Sequence, residues 1–123
     1  MLNRNRFRQD PNARPPAEVR FTELRVEPWT DGKRVRVHVS LTPFQQNPNL
    51  DAVISDANGM EVAHSSIIEI ADVRFVFTMH LRAPAGPGHF ILEARLGYQD
   101  AGTVDTRTVS FETEIVDGET GAV

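Results

Sequence analysis

The side chains able to do chemistry in this chain are few and scattered. Four histidines stand at His38, His64, His80 and His89. A zinc site usually pairs its imidazoles at short spacing, i, i+2 on a strand or i, i+4 on a helix, and no two of these are so placed. There is no cysteine. That removes disulfides, zinc–thiolate and iron–sulfur centres, thiol nucleophiles and the thiolate that a blue-copper site needs. The serines, Ser40, Ser55, Ser65, Ser66 and Ser110, all lie outside any G-x-S-x-G elbow. No G-x-x-x-x-G-K-[ST] run occurs. Gly86-Pro87-Gly88 reads as a turn and not as a phosphate cradle, because Pro87 has no backbone donor. Glycoside chemistry needs two carboxylates held across a cleft, and seventeen acids guarantee chance pairs. Asp31, Asp51 and Asp56 lie near turns and could hold calcium, without any EF-hand pattern around them. Trp29 and Tyr98 are the candidate aromatic platforms for a sugar, and each is equally suited to core or rim packing. No catalytic residue, metal ligand or cofactor is expected from this inventory.

Charge offers one further candidate. Arg34 and Arg36, and Arg74 and Arg82, fall in the polar rows of two alternating segments, together with His38 and His80. With Arg20 or Arg25 they would form a cationic stripe able to meet a phosphate, an acidic polymer or a partner's acidic surface. The competing reading is a solvated face balanced by Glu23, Glu27 and Glu69. No aromatic residue is interleaved with these arginines in the sequence, which argues against a single-strand nucleic-acid platform. The whole-chain charge of −4 and pI near 5.5 also argue against nucleic acid.

The elements that must carry these residues are strands. In residues 34–42, Val35, Val37, Val39 and Leu41 alternate with polar side chains, the mark of a half-buried strand. Residues 73–82 do the same with Val73, Phe75, Phe77, Met79 and Leu81. Residues 89–98 place Phe90, Leu92, Ala94, Leu96 and Tyr98 on one face. Residues 104–116 carry Val109, Phe111 and Ile115 in one register. Val104 falls outside it, which predicts a bulge or a late start. In residues 19–27 the apolar parity changes between Phe21 and Leu24, so a bulge or a crossing between sheets is expected near Thr22–Glu23. Residues 50–56 and 60–65 flank Asn58-Gly59, the strongest hairpin signal in the chain, since both residues tolerate positive φ. Residues 66–72 read either as a short strand or as a crossing. No segment has a capped helical period, and the apolar runs fall far short of the ~20 residues that span a bilayer. Seven or eight strands punctuated by turns predict an all-β fold, a two-sheet antiparallel β-sandwich. The expected core is Val35, Val37, Val39, Leu41, Phe75, Phe77, Met79, Leu81, Phe90, Leu92, Ala94, Leu96 and Phe111.

At 123 residues the chain fits one domain. Residues 1–17 hold four arginines against one aspartate, are rich in proline, and have no apolar period. They read as a flexible basic arm and not as a secretory signal, since no apolar stretch follows the charges. Residues 18–116 form the sandwich, and 117–123 a frayed terminus. With neither a leader nor a span in the sequence, the cytoplasm is the default compartment, unless the chain is a fragment of something larger.

The stretch from Gly88 through Phe90, Leu92, Ala94 and Leu96 resembles the penultimate strand of immunoglobulin-like and fibronectin type III-like domains. The resemblance implies an immunoglobulin-like sandwich and carries no functional residue, because that superfamily shares no active site. The chain departs from the family's pattern in three places. Phe90 has no hydroxyl for a tyrosine corner, there is no cysteine pair, and the one Trp follows the first strand. In such a topology the strands bearing His38 and His80 pair, so the two imidazoles could approach each other.

The expected function is a non-catalytic binding or spacer module that works through protein–protein contact. The alternative is a small β-sandwich enzyme or ligand carrier using His38, His80 or loop carboxylates. The candidate interface is the apolar vicinity of the Asn58-Gly59 hairpin: Met60, Val62, Ile67, Ile68 and Ile70. A protein partner or a second copy would pair with an open edge there. No nucleic acid is expected, and a small-molecule ligand is left open.

Overall fold

The computed structural model describes residues 10–82 and 88–114. A 3-10 turn at Pro16–Glu18 precedes seven strands: β1 Phe21–Pro28, β2 Arg34–Leu41, β3 Asn49–Asp56, β4 Glu61–Ile67, β5 Arg74–His80, β6 Gly88–Tyr98 and β7 Gly102–Thr113. They form two antiparallel sheets, one ordered β1-β2-β5 and the other β4-β3-β6-β7. The fold is the two-sheet β-sandwich that the period-2 alternation predicts. Inward side chains meet between the sheets, with Val35, Val37, Val39 and Leu41 of β2 facing Leu50, Ala52 and Ile54 of β3 and Phe90, Leu92, Ala94 and Leu96 of β6, all buried.

The irregularities fall where apolar parity breaks. The β1–β2 register shifts between Phe21 and Glu23, which lets Phe21 and Leu24 both turn inward despite their opposite parity. On β7 two residues oppose one around Val104, between the pairs Leu96–Asp105 and Gly97–Thr103. Asp56–Gly59 closes the β3–β4 hairpin, with Asp56 Oδ1 accepting the N–H groups of Asn58 and Met60. Only Gly59 there has positive φ, at 85°. The hairpin expected at Asn58-Gly59 forms, with Asn58 outside the left-handed region. Residues 68–73 cross between the sheets and form no strand of their own. Glu69, at φ 55°, makes the sharp bend, and its N–H is taken by Asn49 Oδ1.

Two expected core residues sit differently. Phe75 and Phe77 are only partly buried, because β5 is an edge strand and lacks a neighbour on one side. Val73 lies just before β5 and is exposed. The core instead draws on Val19, Phe21, Leu24, Val62, Ala63 and Ile70. Within the segment read as an arm, Arg14 bridges Phe44 and exchanges backbone hydrogen bonds with Pro43 and Gln45. Residues 1–9, Ile115 and 117–123 lie outside the described residues, as does Pro84–Pro87.

One seam between the sheets is closed by charge. Asp105 and Arg107 stand opposite Leu96 and Ala94, at inward positions of β7. Asp105 Oδ2 accepts the Phe21 N–H at 2.8 Å, and Arg107 donates to the Phe21 carbonyl at 2.9 Å. The pair satisfies the backbone of β1 at its bulge and blunts both strands as edges. Asp105→Ala strands the half-buried Phe21 N–H, and a loss of about 1–3 kcal/mol is expected in urea unfolding. Asp105→Asn keeps an acceptor and should lose less than half as much. Equal losses would mean that the contact is incidental to stability.

Candidate functional site

The outer face of the three-stranded sheet carries most of the expected stripe. Register places Glu23, Arg25 and Glu27 of β1 beside Ser40, His38 and Arg36 of β2. On the other side, Arg74, Val76, Thr78 and His80 of β5 lie beside Ser40, His38, Arg36 and Arg34. Toward β1 the charges are matched. His38 Nε2 lies 2.9 Å from Glu27 Oε1, Ser40 Oγ donates to Glu23, and Arg25 pairs with Glu23. The His38 contact pulls the Glu27 carboxyl below its ordinary range. Arg34 pairs with Asp31 at 3.0 Å. Toward β5 the charges are unmatched: among the described residues Arg74 and His80 have no ion-pair partner.

Three expectations change here. Arg82 leaves the stripe. It lies past the end of β5, where its side chain donates to the Glu61 carbonyl at 3.0 Å and pairs with the Glu61 carboxylate. His38 and His80 do not meet, because His80 pairs with Arg34, four residues along β2 from His38, or about 13 Å along the strand. An aromatic ring is present among the arginines after all. Trp29 packs under the Arg34 guanidinium at 4.1 Å and near that of Arg36 at 5.1 Å. These are cation–π contacts that hold both side chains on the sheet. Spacing hides them, because Trp29 precedes the turn at Asp31-Gly32 and is brought back over β2 by it.

On the outer face of the four-stranded sheet, Asn49, Asp51, Ser66, Arg95 and Thr103 line an open concavity of about 410 Å³, together with Tyr98 and the exposed Ile68. Asp51 Oδ1 accepts hydrogen bonds from Ser66 Oγ at 2.7 Å and His64 Nε2 at 2.8 Å. These contacts hold the Asp51 carboxyl below its usual range and raise the His64 imidazole above its own. Serine, histidine and aspartate thus come together, but with the aspartate at the centre. A nucleophilic serine must give its proton to histidine, with the carboxylate behind. Ser66 donates to the carboxylate instead, so the arrangement can hold a polar group without activating a nucleophile.

The other loop acids serve the backbone. Asp31 accepts the Lys33 N–H, the main reason its carboxyl is held below the usual range, and Asp56 closes the hairpin. No three metal-ligating side chains cluster among the described residues. The Tyr98 hydroxyl donates to the Gln46 carbonyl at 2.8 Å, which ties the end of β6 to the loop before β3.

The apolar rim around the hairpin divides. Met60 and Ile68 are exposed, at 67% and 72%, and Ile67 is half-buried. Val62 and Ile70 lie in this chain's own core, at 9% and 4%. The crossing at Glu69 turns Ile70 inward, and the bulge opposite Ser55 lets adjacent Val62 and Ala63 both be buried. The start of β4 is also covered, since the Val62 carbonyl accepts the Arg82 N–H. The Asp105–Arg107 pair was missed from sequence. Its signal is two charges at the same parity as Val109 and Phe111, hence on the side of β7 that faces the other sheet, where Asp105 is partly buried and Arg107 stays exposed.

No helix among the described residues is long and apolar enough to cross a membrane. No family model matches the sequence, and no curated protein matches it. The fold does match solved structures. A glycosyl hydrolase family 2 member from Bacteroides cellulosilyticus aligns with TM-score 0.58 at 19% identity over 76% of this chain. The β-glucuronidase 3 of Bacteroides uniformis aligns with TM-score 0.58 at 16% identity over 77%. A β-glucuronidase of Bifidobacterium dentium, complexed with coumarin-3-O-glucuronide, aligns with TM-score 0.59 at 12% identity over 77%. This chain spans only 15%, 12% and 18% of those three chains. At such identities the likeness is one of fold: a β-sandwich that also occurs as a small part of large glycosidase chains.

Proposed function

We propose that this chain is a non-catalytic, immunoglobulin-like β-sandwich module whose work is to dock against another protein surface. The observation that carries this reading is the proportion of the match. About three quarters of the chain corresponds to less than a fifth of each large glycosidase chain, so the same sandwich serves elsewhere as one part among several. The sheet orders β1-β2-β5 and β4-β3-β6-β7 fit the immunoglobulin-like and fibronectin type III-like pattern, with β2 and β6 central. The outer surfaces support docking, with exposed Met60 and Ile68 flanking β4 and, on the other sheet, Arg74 and His80 unmatched among the described residues.

A second reading, a ligand carrier or small enzyme, draws on the concavity beside Asp51, His64 and Ser66. One assay separates the two. The purified chain, given chromogenic aryl β-glucuronides and aryl glycosides, is expected to match the buffer rate. Turnover that disappears in Asp51→Asn would overturn the docking reading in favour of the second.

A further inference from the structure

The two sheets leave their edges in different states. At the β1–β7 seam, Asp105 and Arg107 occupy the backbone of Phe21. At the start of β4, Arg82 covers the carbonyls of Glu61 and Val62. Among the described residues β5 carries no such cover. Its ladder with β2 ends in Leu81 N–H to Lys33 carbonyl and Leu41 N–H to Val73 carbonyl. The odd-numbered residues of β5 therefore bond β2, and Arg74, Val76, Thr78 and His80 turn their backbone N–H and C=O groups away from the sheet. Beside this free edge, the half-buried Phe75 and Phe77 stack with ring centroids 6.2 Å apart. Val76 is 52% exposed and Val73 43%. An unpaired strand with apolar side chains is what natural proteins normally block.

We propose that β5 is the docking edge of this module and that it takes an extended segment of a partner protein in which acidic and apolar residues alternate. The inference rests on the docking reading above and names its partner. An antiparallel strand added to β5 would bond the free backbone of Arg74, Val76, Thr78 and His80. Residues opposite these four point to the outer face, where Arg74 and His80 lack ion-pair partners among the described residues and call for carboxylates at the two ends. Residues opposite Phe75, Phe77 and Met79 point inward and would cover the phenylalanine rings, so they must be apolar. A second copy of β5 fits poorly. Antiparallel self-pairing with the free groups in register sets Arg74 opposite His80 twice, so that neither side chain meets a carboxylate.

The probe is a fluorophore-tagged peptide, Glu-Val-Thr-Val-Thr-Val-Glu, titrated against the full chain and followed by anisotropy. Saturable binding is expected, with a peptide carrying Lys in place of both Glu binding roughly tenfold more weakly. Arg74→Glu, at an exposed position, should reverse that preference. Thr78→Pro removes one outward N–H, which an edge strand tolerates, and should abolish binding of the Glu peptide while circular dichroism stays unchanged. If Thr78→Pro unfolds the chain, the charge reversal by Arg74→Glu decides alone. Absence of saturable binding, equal affinity for the two peptides, or binding indifferent to a folded Thr78→Pro would each overturn the inference. A dimer in sedimentation that Thr78→Pro dissolves would make a second copy the occupant and overturn the acidic partner. None of these results involves turnover of an aryl glycoside, so the assay of the docking reading stands or falls separately.

Discussion

Phe90→Ala is expected to cost about 3–5 kcal/mol of unfolding free energy. Phe90 is 2% exposed, on a central strand, and its ring stacks on Phe111 at 5.7 Å. Truncation removes its own buried area and leaves a cavity walled by β6, β7 and the facing sheet, all held by backbone ladders that cannot collapse inward. Against a domain stability of about 5–15 kcal/mol, that loss brings the folded state near its limit. Phe77→Ala supplies the contrast. Its ring has the same size and parity, but it sits on the open edge strand and is only partly buried. Solvent already reaches part of the ring, so a loss under about 2 kcal/mol is expected. Urea midpoints at constant m-value measure both. Equal losses would mean that β5 is packed as a central strand, which would also remove the free edge on which partner recognition rests.

This contrast marks what the residues alone could reveal. Alternation along Arg34–Leu41 and Gly88–Tyr98 fixes which side chains point inward, and every inward residue expected there is buried apart from Tyr98, which is partly so. Alternation is a property of one strand and does not tell a central strand from an edge. Phe77 and Val37 read alike, yet they differ because β2 has two neighbours and β5 has one. The parity break at Phe21–Leu24 announced a real bulge, as did the misplaced Val104. What the bulge at Phe21 does was not legible, because the Asp105 that caps it lies 84 residues away in sequence.

The candidate site was legible to a lesser degree. Arg34, Arg36, His38, Arg74 and His80 do share one face, as period 2 requires. Which of them remain unmatched depends on cross-strand register, and register placed Glu23 and Glu27 beside β2 and nothing acidic beside β5. Arg82 belongs to the same alternating run, but the strand ends before it and the side chain turns to Glu61. Ser66, His64 and Asp51 could not be grouped from sequence, since their meeting depends on the β3–β4 register.

Gly97→Ala is expected to cost about 3 kcal/mol, at the upper end of what an added methyl group costs in a packed site. A Cβ built on Gly97 would lie 2.6 Å from the Gly102 carbonyl oxygen and 3.1 Å from both the Gly102 carbonyl carbon and the Thr103 Cα. Every one of these atoms is backbone, so no side chain can swing aside. The crowding arises where the β6–β7 register shifts, between Leu96 and Gly97, and the opposing backbone closes over β6. Relief requires moving Gly102–Thr103, and Asp105, two residues further along β7, then loses its hold on the Phe21 N–H. The damage should therefore reach the seam between the sheets. Gly97→Ala and Asp105→Ala should combine to less than the sum of their separate losses, because the first already weakens the contact that the second deletes. Gly59→Ala is the control. Gly59 has φ 85° but open space around its missing Cβ, so it should lose only the ~1–2 kcal/mol of a left-handed alanine and add independently to Asp105→Ala. A Gly97→Ala chain that unfolds at the parent midpoint, or one whose loss is fully additive with Asp105→Ala, would mean that the β6–β7 hairpin does not hold the Asp105–Phe21 contact in place.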